Sequence, residues 1–145
     1  RYYVFRALSK AGEYTRACDL FDWWKLMAKT DLTTWPEEPW LARSFCHAWS
    51  CTPLYEYLAE VLGIKPAAPG FSKVIIQPRL LGLSWAKGSV PTRYGDIKVS
   101  WNVNEGIFRV ETVLPKGING RVILPDQSEI AIEADRRIAL CRVEV

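Results

Sequence analysis

The sequence predicts two successive architectures: α-helices up to about residue 64, then an antiparallel β-sandwich from about residue 65 to residue 145. Two observations carry this. Before Ile64 apolar residues recur every three or four positions, the repeat of an amphipathic helix, and beyond it they recur every second position, as on a strand with alternating faces. Between the two regimes, residues 65–70 are rich in Pro, Ala and Gly, a composition that interrupts both repeats.

The first helix is predicted to be already under way at Tyr2, Tyr3, Val4 and Phe5, with no cap or signal segment before it, and to stop at Ala11-Gly12. A second amphipathic helix is predicted over residues 14–29, where Ala17, Leu20, Phe21, Trp24, Met27 and Ala28 share one face. The short link between the two makes a helical hairpin. A third helix is predicted to start at Pro53 behind Thr52 as N-cap, to present Leu54, Tyr57, Leu58, Val61 and Leu62 on one face, and to end at Gly63. Three such helices cannot close a core of their own, so they are expected to belong to a larger helical array whose other members precede Arg1.

Strand alternation is clearest at Ile97, Val99, Trp101 and Val103, and again at Phe108, Val110, Thr112 and Leu114, with Asn104-Glu105-Gly106 as the hairpin turn between them. Further short strands are predicted over residues 74–77, 83–90, 120–124, 129–133 and 140–145, with turns at Pro115-Lys116-Gly117 and Pro125-Asp126. Trp23, Trp24, Trp85 and Trp101 all fall on apolar faces and are assigned to packing.

Charge and composition exclude several classes. The net charge is +3, with basic residues scattered among acids, which gives no footprint for nucleic acid or an anionic membrane. No apolar run approaches the roughly 20 residues that span a bilayer. Four cysteines without a Cys-x-x-Cys pair and a single histidine are a poor set for a metal site, and no cofactor is expected. Cys46 and Cys51 could bridge in an oxidising compartment, but cysteines set among Phe, Trp and Leu are commonly free buried thiols. The compartment is not legible.

The stretch over residues 33–49 follows neither repeat. It holds Glu37, Glu38, the lone His47, Arg43, Trp35, Trp40 and Trp49. Pro36 and Pro39 keep it out of regular structure. Loops of this kind carry binding and catalytic groups. Indole faces beside carboxylates and an imidazole suit a sugar, whose C–H faces stack and whose hydroxyls hydrogen-bond.

The order Thr33-Thr34-Trp35-Pro36-Glu37, Ser44-Phe45-Cys46-His47-Ala48-Trp49, Val61-Leu62-Gly63-Ile64, Pro69-Gly70-Phe71 with Ile76 and Pro78, and the run from Gly88 to Trp101 resembles the end of the α-L-rhamnosidases of glycoside hydrolase family 78. The resemblance implies that residues 1–64 are the last helices of an (α/α)6 catalytic barrel and residues 65–145 a carboxyl-terminal β-sandwich. It also implies inverting hydrolysis of terminal α-L-rhamnose from glycosides, with Glu37 as general base and the general acid upstream of this chain. Glu38 is the alternative base, because the doubled glutamate permits a slip of one position. His47 is placed beside the sugar as a binding group, and Trp49, Trp35 and Trp40 are candidates for its walls or stacking faces. Arg43 reads as an ion-pairing surface residue. The implied partners are a rhamnose-containing glycoside and the remainder of the same polypeptide, and the segment alone is expected to be inactive. The competing readings are another (α/α)6 glycosidase or a phosphorylase, for which no cluster of phosphate-binding donors is visible, and a non-catalytic carbohydrate-binding or structural module. Against a binding module, the sandwich shows no exposed aromatic cluster in its pattern and is expected to be a structural lid.

Overall fold

The computed structural model of the chain describes residues 1–41 and 43–143. It divides into two compact units, Arg1–Glu56 and Tyr57–Val145.

In the first unit, helix α1 (Tyr2–Ala11) ends at Gly12, whose φ of 75° is the left-handed stop expected there. The second predicted helix is formed differently. Residues Tyr14–Phe21 wind as a 3-10 helix and only Asp22–Met27 (α2) are α-helical. Tyr14, Ala17 and Phe21 are buried from the 3-10 segment and Trp24 and Met27 from α2. Phe5 from α1 is fully buried and its ring lies 5.0 Å from Phe21, 5.8 Å from Trp24 and 6.2 Å from Tyr14. This aromatic cluster is the core of the unit, its rings meeting at tilted angles of 37° to 53°.

Helix α3 (Thr52–Glu56) is preceded by a 3-10 turn, Ala48–Cys51, which changes its start. Thr52 is not an N-cap. Its backbone is already helical, at φ −44° and ψ −44°, and its hydroxyl donates to the Trp49 carbonyl at 2.8 Å. The predicted apolar face is corrected in part: Val61 and Leu62 are buried as expected. Leu54 and Tyr57 are exposed, whereas Glu56 and Glu60 are fully buried. Carboxylates take the inner face because each has partners there: Glu56 accepts from the Tyr14 hydroxyl at 2.6 Å and from the Arg6 guanidinium, and Glu60 accepts from Lys65 at 2.7 Å and Arg79 at 3.4 Å. A buried charge persists only with such compensation.

The second unit opens with a π turn, Tyr57–Val61, in which the Leu62 amide reaches back five residues to the Tyr57 carbonyl. Two four-stranded sheets follow. One has the order β1 (Ile64–Pro66), β2 (Lys73–Ile76), β6 (Asn119–Ile123), β7 (Glu129–Ile132); the other runs β3 (Trp85–Thr92), β4 (Gly95–Asn104), β5 (Ile107–Leu114), β8 (Asp135–Arg142). Their facing residues, among them Val74, Ile76, Val122 and Ile132 from one and Ile97, Val99, Trp101, Phe108 and Val110 from the other, form one core. Trp101 is 2% exposed and donates its indole N–H to the Val61 carbonyl at 3.0 Å, so the π turn is fastened to the unit's core. The turn at Glu105-Gly106 has φ of 49° and 72°, the double left-handed geometry of a two-residue hairpin.

Three expectations about this unit are corrected. The sandwich is not wholly antiparallel, because β2 and β6 pair in parallel. These strands are separated by a passage through the other sheet, and only a direct hairpin would force them to oppose. Residues 65–70 are not purely a linker, since Ile64–Pro66 pairs with β2 as an edge strand, the one place in a sheet where Pro66 is tolerated. Trp85 does not pack: it is 67% exposed, because β3 turns Ala86, Gly88 and Val90 inward and Trp85, Lys87 and Ser89 outward.

Gly63 sits where the chain turns from the π turn into β1, at φ 79°, and a Cβ built there would lie 2.2 Å from the Gln77 carbonyl carbon. Gly63→Ala is therefore expected to destabilise the protein by about 3 kcal/mol or more in chemical denaturation. Gly82→Ala has a similar φ of 74° but open space around it, so it should cost only about 1 kcal/mol. Equal losses would refute the close approach.

Candidate functional site

The loop over residues 33–49 is held by its own main chain. The Glu37 amide donates to the Ser44 carbonyl at 2.8 Å and the His47 amide to the Trp35 carbonyl at 2.7 Å. The Thr34 hydroxyl donates to the Phe45 carbonyl. These bonds draw residues 34–37 alongside residues 44–47 without strand geometry, which satisfies main-chain groups that Pro36 and Pro39 prevent from joining a helix or ladder. The loop's end is fixed to the first unit's core, where the buried Trp24 indole donates to the Ser50 carbonyl at 2.8 Å.

This folding brings three of the predicted polar residues together. Arg43 donates to Glu37 Oε1 at 2.7 Å. The Glu37 carboxyl is held below the usual carboxylate range, chiefly by that hydrogen bond and then by the positive fields of Arg43 and His47. The Arg43 guanidinium is raised in turn, first by the same bond. Glu37 is only partly exposed, its side chain retaining 22% of its accessible surface, while Arg43 retains 87%. Glu38 points into solvent. The arrangement is a carboxylate kept ionised by an arginine, within the field of an imidazole, on a loop whose arms are joined by main-chain hydrogen bonds. It can accept a proton from water or bind hydroxyls.

The tryptophans are distributed elsewhere. Trp40 is 66% exposed and makes an edge contact with Trp23 at 5.5 Å; Trp23 is only partly buried, and the Arg1 guanidinium lies 4.4 Å over its ring. Trp49 is 62% exposed, meets Tyr3 edge-on at 5.9 Å, and with Tyr2, Tyr3, Ala48, Cys51 and Thr52 lines a pocket of about 320 Å³. Trp35 is partly buried at the cross-linked neck of the loop. All four cysteines are free, but Cys46 is exposed and the others only partly covered, so the expectation of buried thiols does not hold. Sequence reasoning missed the burial of Glu56 and Glu60. Among the described residues, no group of three or more His, Cys, Asp or Glu side chains could hold a metal ion, and no helix is long and apolar enough to cross a membrane.

Residues 63–139 match the family of bacterial alpha-L-rhamnosidase C-terminal domains, more than half of the chain. The chain belongs to this family. An alpha-L-rhamnosidase from Alteromonas sp. (strain LOR) is 44% identical over 66 residues, which are 45% of this chain and 7% of that protein. The crystal structure of a GH78 family rhamnosidase from Bacillus sp. GL1 is 34% identical with a TM-score of 0.78, covering 92% of this chain and 15% of that one. An alpha-L-rhamnosidase structure from Dictyoglumus thermophilum, 17% identical, has a TM-score of 0.86 over 97% of this chain and 20% of that one, and shows a shared fold. The chain thus spans a small part of each rhamnosidase it resembles. The family match lies in the second unit and the loop in the first, but the Bacillus structure's coverage extends into both.

Because Arg43 holds the Glu37 carboxyl down, Arg43→Gln should move the midpoint of the Glu37 carboxyl titration, followed by 13C NMR, to higher pH. The sign for stability follows. A depressed carboxyl contributes stability that is present above its unfolded value and is lost as pH falls through its folded value, so the variant should lose less on acidification than the parent. Arg109→Gln, in the second unit and not among the groups that shift Glu37, should leave the Glu37 midpoint in place.

Proposed function

We propose that this rhamnosidase-family chain is the carboxyl-terminal part of an inverting α-L-rhamnosidase, with Glu37 as its general base. On this reading residues 1–64 are the last helices of an (α/α)6 catalytic barrel and residues 65–145 the sandwich that follows it. The partners are the rest of the same polypeptide and a glycoside ending in rhamnose. The observation that carries the proposal is the ionised Glu37 with Arg43 and His47 on a cross-linked loop, in a chain whose family consists of rhamnosidase C-terminal domains.

The chemistry divides between two carboxyl groups set roughly 6.5–9.5 Å apart across the scissile bond in an inverting enzyme. Arg43 engages Oε1 of Glu37, so Oε2 takes the proton of a water as that water's oxygen bonds to the anomeric carbon. The bond from that carbon to the aglycone oxygen breaks, and the leaving oxygen receives a proton from a carboxylic acid supplied upstream. His47, only partly exposed at the neck of the loop, hydrogen-bonds a sugar hydroxyl through a ring nitrogen. Arg43 keeps the base ionised in acid, and because it is largely solvated the pair can rearrange at little cost when substrate enters.

In the full-length enzyme, Glu37→Gln should lower kcat by about 10²–10⁴-fold with KM little changed, since it removes proton acceptance and keeps the shape. Glu38→Gln should have a much smaller effect, and the reverse ranking would move the base by one residue. Produced alone, residues 1–145 should release no aryl group from an aryl α-L-rhamnoside, because inversion needs the second carboxyl. Turnover by that segment would contradict the division of roles.

A further inference from the structure

The outer face of the sheet β3-β4-β5-β8 carries a second cluster of polar and aromatic groups that the catalytic reading does not use. Register places Trp85 beside Asn102 and Asn102 beside Arg109; in the next row Lys87 lies beside Ser100 and Ser100 beside Glu111; in the third, Ser89 lies beside Lys98. Lys87, Ser89, Lys98, Ser100 and Glu111 line a shallow depression of about 480 Å³. Trp85, two residues along β3 from Lys87 and so about 7 Å away on the same face, stands at its end with two thirds of its surface open.

We infer that this face is a non-catalytic binding site for an acidic oligosaccharide, with Trp85 as the stacking platform and Lys87 and Lys98 as the anion-binding pair. The lysines are diagonal neighbours, about 7–8 Å apart on adjacent strands, and among the described residues neither is paired with an acid. The one carboxylate at the depression, Glu111, is already occupied: Arg136 grips it through two bonds of 2.8 and 2.9 Å and Arg109 adds a third at 3.3 Å. Its charge is cancelled, and its depressed pKa, caused first by Arg136, keeps it an acceptor. With Lys87, Lys98, Arg109 and Arg136 against Glu111 and Asp96, which shares the outward side of β4 with Lys98, the face keeps a net positive charge and attracts a carboxylate- or sulfate-bearing ligand. Ser89, Ser100 and the exposed Asn102 supply donors and acceptors for hydroxyls, while the open indole suits the C–H face of a pyranose. A single-stranded nucleic acid fits less well, since its bases need a succession of aromatic platforms and this face has one.

The carbohydrate class rests on the proposed rhamnosidase reading, so the test separates the two. With full-length enzyme carrying Glu37→Gln, calorimetry should show tetragalacturonate binding that weakens as salt is raised. Trp85→Ala and, separately, Lys87→Glu with Lys98→Glu should each weaken it by about tenfold or more, and the latter pair guards against a folding defect in the former. Cellotetraose, neutral, should bind at least about tenfold less well. In enzyme with Glu37 intact, Trp85→Ala should leave aryl rhamnoside hydrolysis unchanged. Absence of tetragalacturonate binding, equal affinity for cellotetraose, tighter binding of an oligothymidylate, or indifference to both variants overturns the surface site. Loss of hydrolysis assigned elsewhere than Glu37, with binding intact, overturns only the catalytic reading.

Discussion

The candidate site depends on two main-chain hydrogen bonds, from Glu37 to Ser44 and from His47 to Trp35. A loop containing Pro36 and Pro39 has fewer ways than most to satisfy its backbone, and an amide left without a partner costs as much as a lost hydrogen bond. Pairing the two arms of the loop solves this locally. The same pairing decides which side chains meet, because it sets Glu37 alongside the arm that carries Arg43 and His47. The Trp24 indole then fixes the loop's exit at Ser50, so the geometry of the site is transmitted from the aromatic core of Phe5, Tyr14, Phe21 and Trp24.

A related logic places buried charge in each unit. Glu56 in the first and Glu60 in the second are each surrounded by cations or a phenol. Such groups are costly to bury and costlier to leave alone. Their effect is to fix local arrangements: Arg6 and Tyr14 can satisfy Glu56 only with α1 and the 3-10 helix in place, and Lys65 and Arg79 can satisfy Glu60 only with the chain folded back past Gly63. In the second unit the indole of Trp101 adds a bond to the Val61 carbonyl, anchoring the π turn on the sheet core.

Much of the fold was legible in the sequence, and the failures have definite causes. The period of two located the hairpin of β4 and β5 with its Glu105-Gly106 turn, and Gly12 and Gly63 marked the stops at which φ is positive. What periodicity could not supply was the partner of each element. Ile64–Pro66 is too short to show a repeat, and the parallel pairing of β2 with β6 comes from topology. In the third helical stretch Val61 and Leu62 were placed correctly, but Leu54, Tyr57, Glu56 and Glu60 were not, because apolar residues are taken as buried and acids as solvated, which fails when cations arrive from Arg6, Lys65 and Arg79. Trp85 was misplaced for the same reason. Within the loop, composition pointed to Glu37, Arg43 and His47, which the structure brings together, but it grouped Trp40 and Trp49 with them, and these stand against Trp23 and Tyr3.

The central claim, that Glu37 accepts the proton of the attacking water in an inverting displacement, is tested most directly by chemical rescue. Glu37→Ala in the full-length enzyme removes the base and leaves room for a small anion that needs no deprotonation. Added azide should restore turnover of an activated aryl α-L-rhamnoside and give the rhamnosyl azide of inverted, β configuration, identified by NMR. Formation of the α azide, or rescue of Glu38→Ala in place of Glu37→Ala, would contradict the account.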